Sequence, residues 1–155
     1  ADHVCLLRGA TVIGSAGSPA KVDHLLGELG LDAAFPHRGR PLAESLTESA
    51  PEGITAYFDS VGGEHLTAAL DAMRAGGRIA VCGAISGYDA GGPVPGPHNL
   101  FQLVAKSIRM EGYRAGSFNH LTPAITRLGQ SHDWLVDRLQ GKAVRSNCGS
   151  LRLLP

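Results

Sequence analysis

The sequence is short of net charge, cysteine and long apolar runs, and each shortage excludes a class of function. The 155 residues include 14 basic and 14 acidic side chains, so no broad positive surface is available for nucleic acid. The three cysteines, Cys5, Cys82 and Cys148, are odd in number and widely separated, which predicts no disulfide framework. No apolar run approaches the roughly 20 residues that span a bilayer. We therefore expect one soluble, cytoplasmic domain with no membrane partner.

Metal-binding and hydrolase signatures are also missing. No C-x-x-C spacing occurs and no two histidines stand four apart on a good helix, so we expect no metal site. The sequence has neither a G-x-S-x-G elbow nor a Walker loop, the commonest hydrolase and nucleotide-triphosphatase patterns. Glycine is abundant instead: it supplies 21 of the 155 residues, which is about twice the usual ~7%. Its clustering at element ends predicts tight turns between strands and helices.

Short β-branched runs alternate with amphipathic stretches along the chain. The runs predict strands at residues 11–16, 33–35, 54–61, 78–82 and 107–113. The amphipathic stretches predict helices from Pro19 to Gly30 with Val22 and Leu26 on the buried face, at 41–50, from Leu66 to a stop at Gly76 and Gly77, and at 99–105. Residues 2–8 are predicted to end a helix, and 83–97 to form a loop. This alternation predicts an α/β fold, a doubly wound parallel sheet of Rossmann type.

Ligands of such sheets bind outside the carboxyl ends of the strands, so the strand-end loops are the candidate sites. The first loop, residues 14–21, has no acidic residue of the kind that accepts hydrogen bonds from an adenosine ribose. Its small residues leave room for a 2′-phosphate, and Lys21 adds a positive charge beside a helix N-terminus. This combination favours NADPH over NADH. The alternative is an ordinary helix N-cap followed by a solvated lysine.

Three more loops follow strand ends. Residues 59–63 end in two glycines, which allow a ligand close to the backbone or simply a tight turn. Residues 82–88 could place backbone groups, a hydroxyl and a phenol around a nicotinamide. The alternative is an ordinary loop with a buried cysteine. Residues 95–100 are a rigid turn into a helix, for which a structural role is predicted.

Five stretches, in order, resemble one family. They are residues 12–18 with Lys21, 29–35, 57–63, 77–86, and 95–97 with Asn99. Together they resemble the zinc-independent medium-chain dehydrogenases/reductases related to prostaglandin reductase and NADPH-dependent curcumin reductase.

The resemblance implies NADPH as cofactor and reduction of the C=C bond of α,β-unsaturated ketones, aldehydes or quinones, with such a small molecule as substrate. It implies a catalytic role for Tyr88 beside the nicotinamide. His37 stands where the family usually has a tyrosine, and Ser60 where it has an asparagine. The implied cofactor-binding residues are Ser15, Gly17, Ser18, Lys21, His37, Ser60, Cys82, Ile85, Ser86 and Tyr88.

Members of this family also have an N-terminal domain resembling a GroES barrel, then a first strand with a glycine-rich loop, and neither matches this chain. We therefore expect a truncated Rossmann domain over residues 1–117 and a poorly matched tail over 118–155. The absent strand is central in the order 3-2-1-4-5-6, which predicts two half-sheets with open edges. The alternatives are a non-catalytic remnant, a module or homo-oligomer that pairs sheet edges, or another doubly wound binder such as a methyltransferase.

Overall fold

The computed structural model describes residues 9–92 and 94–112, in which parallel strands alternate with helices. The strands are β1 (Ile13–Ala16), β2 (Ala33–Pro36), β3 (Ile54–Asp59), β4 (Met73–Val81) and β5 (Arg109–Gly112). The helices are α1 (Pro19–Gly27), α2 (Leu42–Ser49), α3 (Gly63–Ala72) and α4 (Gln102–Ala105), with a 3₁₀ turn at Ile85–Gly87. None of these helices is long and apolar enough to cross a membrane.

Every strand pair in this part of the chain is parallel, and the strands fall into two sheets. One sheet pairs β1 with β2, and the other has the order β3-β4-β5. A strand, a helix and a second strand in succession give parallel pairing, because the helix returns the chain to the same end of the sheet. The α/β fold and its division into two half-sheets are both confirmed.

The larger buried core belongs to the three-stranded half. Its central side chain, Leu70 of α3, is 0% exposed and clusters with Met73 and Ile79 of β4. The cluster comprises Leu66, Leu70, Met73, Ile79 and Ile108. In the two-stranded half Val22 and Leu31 are buried, whereas Leu26, predicted to lie on the buried face of α1, is 41% exposed. Burial of Leu26 was therefore a wrong prediction, since α1 covers only two short strands.

The predicted helix stop at Gly76 and Gly77 is wrong. Helix α3 ends at Ala72, and both glycines lie within β4, where the pairing with β3 shifts register between Ile54 and Ala56. Gly76 has a φ of +73°, and its N–H donates to Lys106 O at 2.8 Å. A left-handed backbone favours glycine in a strand irregularity as it does at a helix end, so the sequence signal is the same in both cases.

The other elements lie where the pattern predicts them, with ends shifted by one to three residues. Strand β3 stops at Asp59 rather than residue 61, and α4 starts at Gln102 after a turn over residues 98–101. The predicted helix end over residues 2–8 and the division after residue 117 lie outside the described residues.

Candidate functional site

All ten predicted cofactor-binding residues lie at or just beyond the carboxyl ends of parallel strands. They fall into two groups, one on each sheet. The β1–β2 group comprises Ser15, Gly17, Ser18, Lys21 and His37. The β3–β4 group comprises Ser60, Cys82, Ile85, Ser86 and Tyr88. The structure therefore brings together each half of the predicted set.

The two loops of the β1–β2 group lie side by side because their strands end in register. Ala16 pairs with Pro36 as the last residue pair, and the next N–H, that of His37, donates to Ala16 O at 2.9 Å. A Cβ atom placed on Gly17 would stand 3.5 Å from His37 Nε2. The imidazole of His37 therefore lies directly over the turn that leads into α1.

Helix α1 begins in this turn with donors and positive charge but no acid. Ser18 is the N-cap residue, and its carbonyl accepts the N–H groups of Lys21 and Val22, both at 3.1 Å. The Ser18 hydroxyl makes no capping hydrogen bond, and the first turn of α1 has no acidic side chain. Lys21 is exposed. An anion at this helix start would meet a free hydroxyl, a positive helix end and a lysine.

In the β3–β4 group a buried carboxylate orders the loop after β3. Asp59 is 0% exposed, and its Oδ1 accepts hydrogen bonds from Val61 N at 3.0 Å and Gly62 N at 2.8 Å. Tyr57 also donates its hydroxyl to Oδ1, at 3.1 Å. Burial, together with the Asp59 charge, raises the pKa of Tyr57, so this phenol stays protonated and remains a donor. One carboxylate oxygen thus satisfies three donors.

Backbone hydrogen bonds then join this loop to the loop that follows β4. Their acceptors are three successive carbonyls at the end of β3, and their donors are N–H groups of residues 82–86. The bonds run from Cys82 and Gly83 to Asp59, from Ile85 to Ser60 and from Ser86 to Val61, with N···O distances of 2.7, 3.1, 3.2 and 3.1 Å. The two loops therefore form one rigid surface, which we call the β3–β4 platform (residues 59–63 and 82–88).

Glycine makes the close approach within the platform sterically feasible. Gly62 and Gly63 both have positive φ, and a Cβ on Gly63 would stand 3.0 Å from Ser86 Oγ. The Ser86 hydroxyl donates to Val61 O at 2.6 Å, so it holds the loops together. Tyr88 is 70% exposed, and its phenolic oxygen accepts Ala84 N–H at 3.4 Å. The platform thus presents an exposed phenol above rigid backbone.

Two histidines meet between the β1–β2 loops and the platform. The ring of His37 contacts that of His65, in the first turn of α3, with centroids 4.9 Å apart and planes inclined by 77°. Burial lowers the pKa of His65, and the neighbouring His37 lowers it further. Within the described residues His37 Nδ1 and His65 Nε2 are buried without a hydrogen-bond partner. Burial and packing against His37 therefore favour the neutral form of the His65 ring.

Sequence reasoning missed three residues of this region: Arg38, Asp59 and His65. Asp59 had a readable signal, since an aspartate two and three residues before small or glycine positions accepts their N–H groups in an Asx turn. Arg38 Nε lies 3.8 Å from the Cβ position of Gly17, a proximity that depends on the register of β1 with β2. His65 offers no local signal, because its contact with His37 joins distant parts of the chain.

A family profile described as zinc-binding dehydrogenase matches residues 3–130. The chain belongs to this family. It is 46% identical over 121 residues to (+)-pulegone reductase of Mentha piperita, covering 77% of this chain and 35% of that protein. With 2-alkenal reductase (NADP(+)-dependent) of Nicotiana tabacum it shares 47% identity over 116 residues, 74% of this chain and 34% of the relative.

The solved structure of CurA from Vibrio vulnificus in complex with NADPH is similar to this member of the family. Its TM-score is 0.71 at 30% identity, and the match covers 94% of this chain and 43% of CurA. The chain thus spans about a third of the length of its curated relatives. Despite the word zinc in the family description, the part of the chain that the structure describes has no group of three or more His, Cys, Asp or Glu suited to a metal ion.

Proposed function

We propose that this chain is the NADPH-binding part of a reductase that acts on the C=C bond of α,β-unsaturated ketones, aldehydes or quinones. The observation that carries the proposal is its 47% identity to a relative named 2-alkenal reductase (NADP(+)-dependent). Two further relatives are named (+)-pulegone reductase and NADPH-dependent curcumin reductase, and both pulegone and curcumin are conjugated carbonyl compounds.

The residues at the strand ends fit such a cofactor. The turn at Gly17 lacks a side chain where a ligand would approach, and the α1 start combines the free Ser18 hydroxyl with Lys21. An acid at the end of β1 would repel a 2′-phosphate and bind a ribose hydroxyl, but Ala16 ends this strand. We assign Ser15, Gly17, Ser18, Lys21 and His37 to the adenosine-phosphate end.

We assign the β3–β4 platform to the nicotinamide end. Ser60, Cys82 and Ile85 have exposed side chains there, and the Ser86 hydroxyl holds the two loops together. When bound, NADPH supplies a hydride to the β-carbon of the conjugated carbonyl compound, and a proton completes the reduction at the α-carbon. Tyr88 is our candidate catalytic residue, because its exposed phenol can reorient from Ala84 N–H toward a bound ribose or carbonyl.

The cofactor assignment is tested by titrating the chain with NADPH and NADH and following its thermal unfolding. NADPH should raise the midpoint temperature because a ligand that binds only the folded state stabilises it. NADH, lacking the 2′-phosphate, should give a clearly smaller shift at equal concentration. Equal shifts would contradict the 2′-phosphate assignment, and no shift with millimolar NADPH would contradict the cofactor itself.

The reaction is tested in a chimera in which this chain replaces the matching segment of the tobacco 2-alkenal reductase. The chimera should oxidise NADPH when a 2-alkenal is added and should yield the saturated aldehyde. Tyr88→Phe in the same chimera should lower kcat more than it raises KM, since the ring is kept and only the hydroxyl is lost. A folded chimera that binds NADPH without reducing the alkenal would refute the proposed reaction.

A second candidate, a module that pairs sheet edges, is favoured by the two separate sheets. β1 has one strand neighbour, β2, within residues 9–92 and 94–112, so backbone groups on its other edge are open to pairing. Light scattering after size exclusion distinguishes this function, since edge pairing predicts a concentration-dependent dimer. A monomer at all concentrations would exclude it.

We further propose a cytoplasmic location and a division of the chain after residue 117. The free, exposed Cys82 supports a reducing compartment. The division would be seen as a protease-resistant product ending near residue 117. Uniform digestion of the chain would contradict it.

A further inference from the structure

We propose that Arg38 is a second cation for the 2′-phosphate of the cofactor and sets the preference for NADPH over NADH. This inference rests on the proposed function and adds a specificity-determining residue that the sequence pattern did not indicate. Because β1 and β2 end in register at Ala16 and Pro36, residues 37 and 38 leave the sheet beside the turn at residues 17 and 18.

The guanidinium of Arg38 lies close to this turn. Arg38 Nε lies 3.8 Å from the Cβ position of Gly17, on the same side as the His37 ring at 3.5 Å. The contact between His37 and His65 fixes the adjacent backbone, so Arg38 emerges from an ordered point. Lys21 lies one helical turn beyond Gly17 on α1. The two cations therefore border the same turn from different elements.

The charge of Arg38 is available to a ligand, whereas that of Arg40 is held in ion pairs. Arg38 is exposed and, among the residues with described positions, makes no hydrogen bond or ion pair. Arg40 donates to Glu44 at 3.4 Å and to both carboxylate oxygens of Glu48. These carboxylates raise the pKa of Arg40 and neutralise it locally. Arg38 is therefore free to bind an anion, whereas Arg40, two residues away, is already paired with carboxylates.

No acid in the first turn of α1 competes for these cations, and the carboxylate of Asp32, at the other end of β2, accepts Val12 N–H at 2.7 Å. A phosphate between Lys21 and Arg38 would meet two positive charges, and a guanidinium binds two phosphate oxygens at once. A ribose 2′-hydroxyl carries no charge to attract either, so Arg38 should discriminate between the two cofactors.

The test uses the 155-residue chain and two small probes, 2′,5′-ADP and 5′-AMP, which differ only in the 2′-phosphate. Calorimetry should show that Arg38→Gln weakens 2′,5′-ADP binding about tenfold, the equivalent of one lost charge-assisted contact. Affinity for 5′-AMP should stay unchanged. Arg38→Lys, which keeps the charge and loses the fork, should fall between. Arg40→Gln is the matched control and should leave both affinities unchanged.

Each outcome decides the matter. Unchanged 2′,5′-ADP affinity in Arg38→Gln would overturn the role of Arg38 and leave the cofactor assignment intact. Equal weakening of both probes would make Arg38 a structural residue and also overturn its specificity role. If the unsubstituted chain binds 2′,5′-ADP no more tightly than 5′-AMP, the 2′-phosphate site itself fails, and with it this inference.

Discussion

The two halves of the molecule differ in the burial, rigidity and charge of their strand-end loops. The β3–β4–β5 half has the five-residue buried core, and its strand-end loops are joined by backbone hydrogen bonds around the buried Asp59. The β1–β2 half has four-residue strands, few buried side chains and exposed cations at its loops. In our proposal, the rigid, largely uncharged platform binds one end of the cofactor and the cationic turn binds the other.

This difference has a physical reason. A phosphate is recognised by charge and N–H donors, which long exposed side chains supply without deep burial. A nicotinamide ring must be held at a defined distance and angle, which requires backbone that does not move. The asymmetry of burial thus matches an asymmetry of chemistry, and substitutions in the two halves should have separable effects.

The largest expected effect is a difference in the stability cost of truncating a leucine in each half. Leu70→Ala should lower the free energy of unfolding by about 3 kcal/mol, because it opens a cavity beside a side chain that is 0% exposed. Leu26→Ala, at 41% exposure in the other half, should cost less than about 1 kcal/mol. Urea unfolding measures both. Similar costs for the two substitutions would contradict the proposed difference in packing.

The next largest effect is a difference in the stability cost of removing one aspartate from each half. Asp59→Ala should cost about 2 kcal/mol, since it leaves the N–H groups of Val61 and Gly62 and the Tyr57 hydroxyl without their acceptor. Asp32→Ala removes one exposed acceptor and should cost less. In Asp59→Ala, hydrogen exchange should quicken at Val61 and Gly62 while 2′,5′-ADP affinity persists. If 2′,5′-ADP affinity were lost together with the exchange protection of Val61 and Gly62, the loops of the two halves would act as one unit.

A smaller gain is expected at Ser107, between α4 and β5. This is the one non-glycine residue in the described ranges with a positive φ, at 51°. Ser107→Gly should stabilise the chain by about 0.5 kcal/mol. Glycine relieves the strain of the left-handed backbone, and this gain exceeds the entropy that glycine adds to the unfolded state. Ser107→Ala keeps the strain and should bring no gain. A thermal midpoint that does not rise with glycine would show that the strain is compensated.

The smallest effect concerns acid stability at the junction of the halves. Because burial and His37 lower the pKa of His65 below its ordinary 6.5, the unfolded chain takes up this proton more readily than the folded one. The free energy of unfolding should therefore fall as pH drops below about 6.5 and level off once His65 is protonated in both states. Asp59 and Glu64 oppose the shift.

His65→Gln should remove this component of the pH dependence, and His24→Gln should not, because His24 is an exposed residue paired with Glu28. Denaturant unfolding at several pH values provides the comparison. An identical pH profile in the unsubstituted chain and His65→Gln would show that the histidine contact does not respond to protonation.

Much of the fold was predictable because strands and helices here are short, strongly patterned and punctuated by glycine or proline. Ser18 and Pro19 indicated the start of α1, and the parallel class followed from the alternation of elements. The Gly76–Gly77 error shows the limit. Positive φ can be read from a glycine pair, but whether it serves a helix end or a strand irregularity depends on pairing with β3 and on the carbonyl of Lys106.

The candidate site was predictable as a set of loops and less so as a set of contacts. The ten predicted residues lie at strand ends. However, the Ser86 hydroxyl donates to Val61 O, and the residues beside the turn at Gly17 include Arg38, which no motif marks. Such contacts depend on register, which aligns residues about twenty positions apart. Whether the ten residues bind NADPH stays a prediction.

The most direct test of this account is a map of backbone amide shifts as the chain is titrated with NADPH. The account predicts perturbations in two separate places, at residues 17–21 with 37–38 and at residues 82–88. The same titration with NADH should give clearly smaller perturbations in the first place and similar ones in the second. Shifts confined to one half, or none at millimolar NADPH, would contradict the claim that the two halves bind two ends of one cofactor.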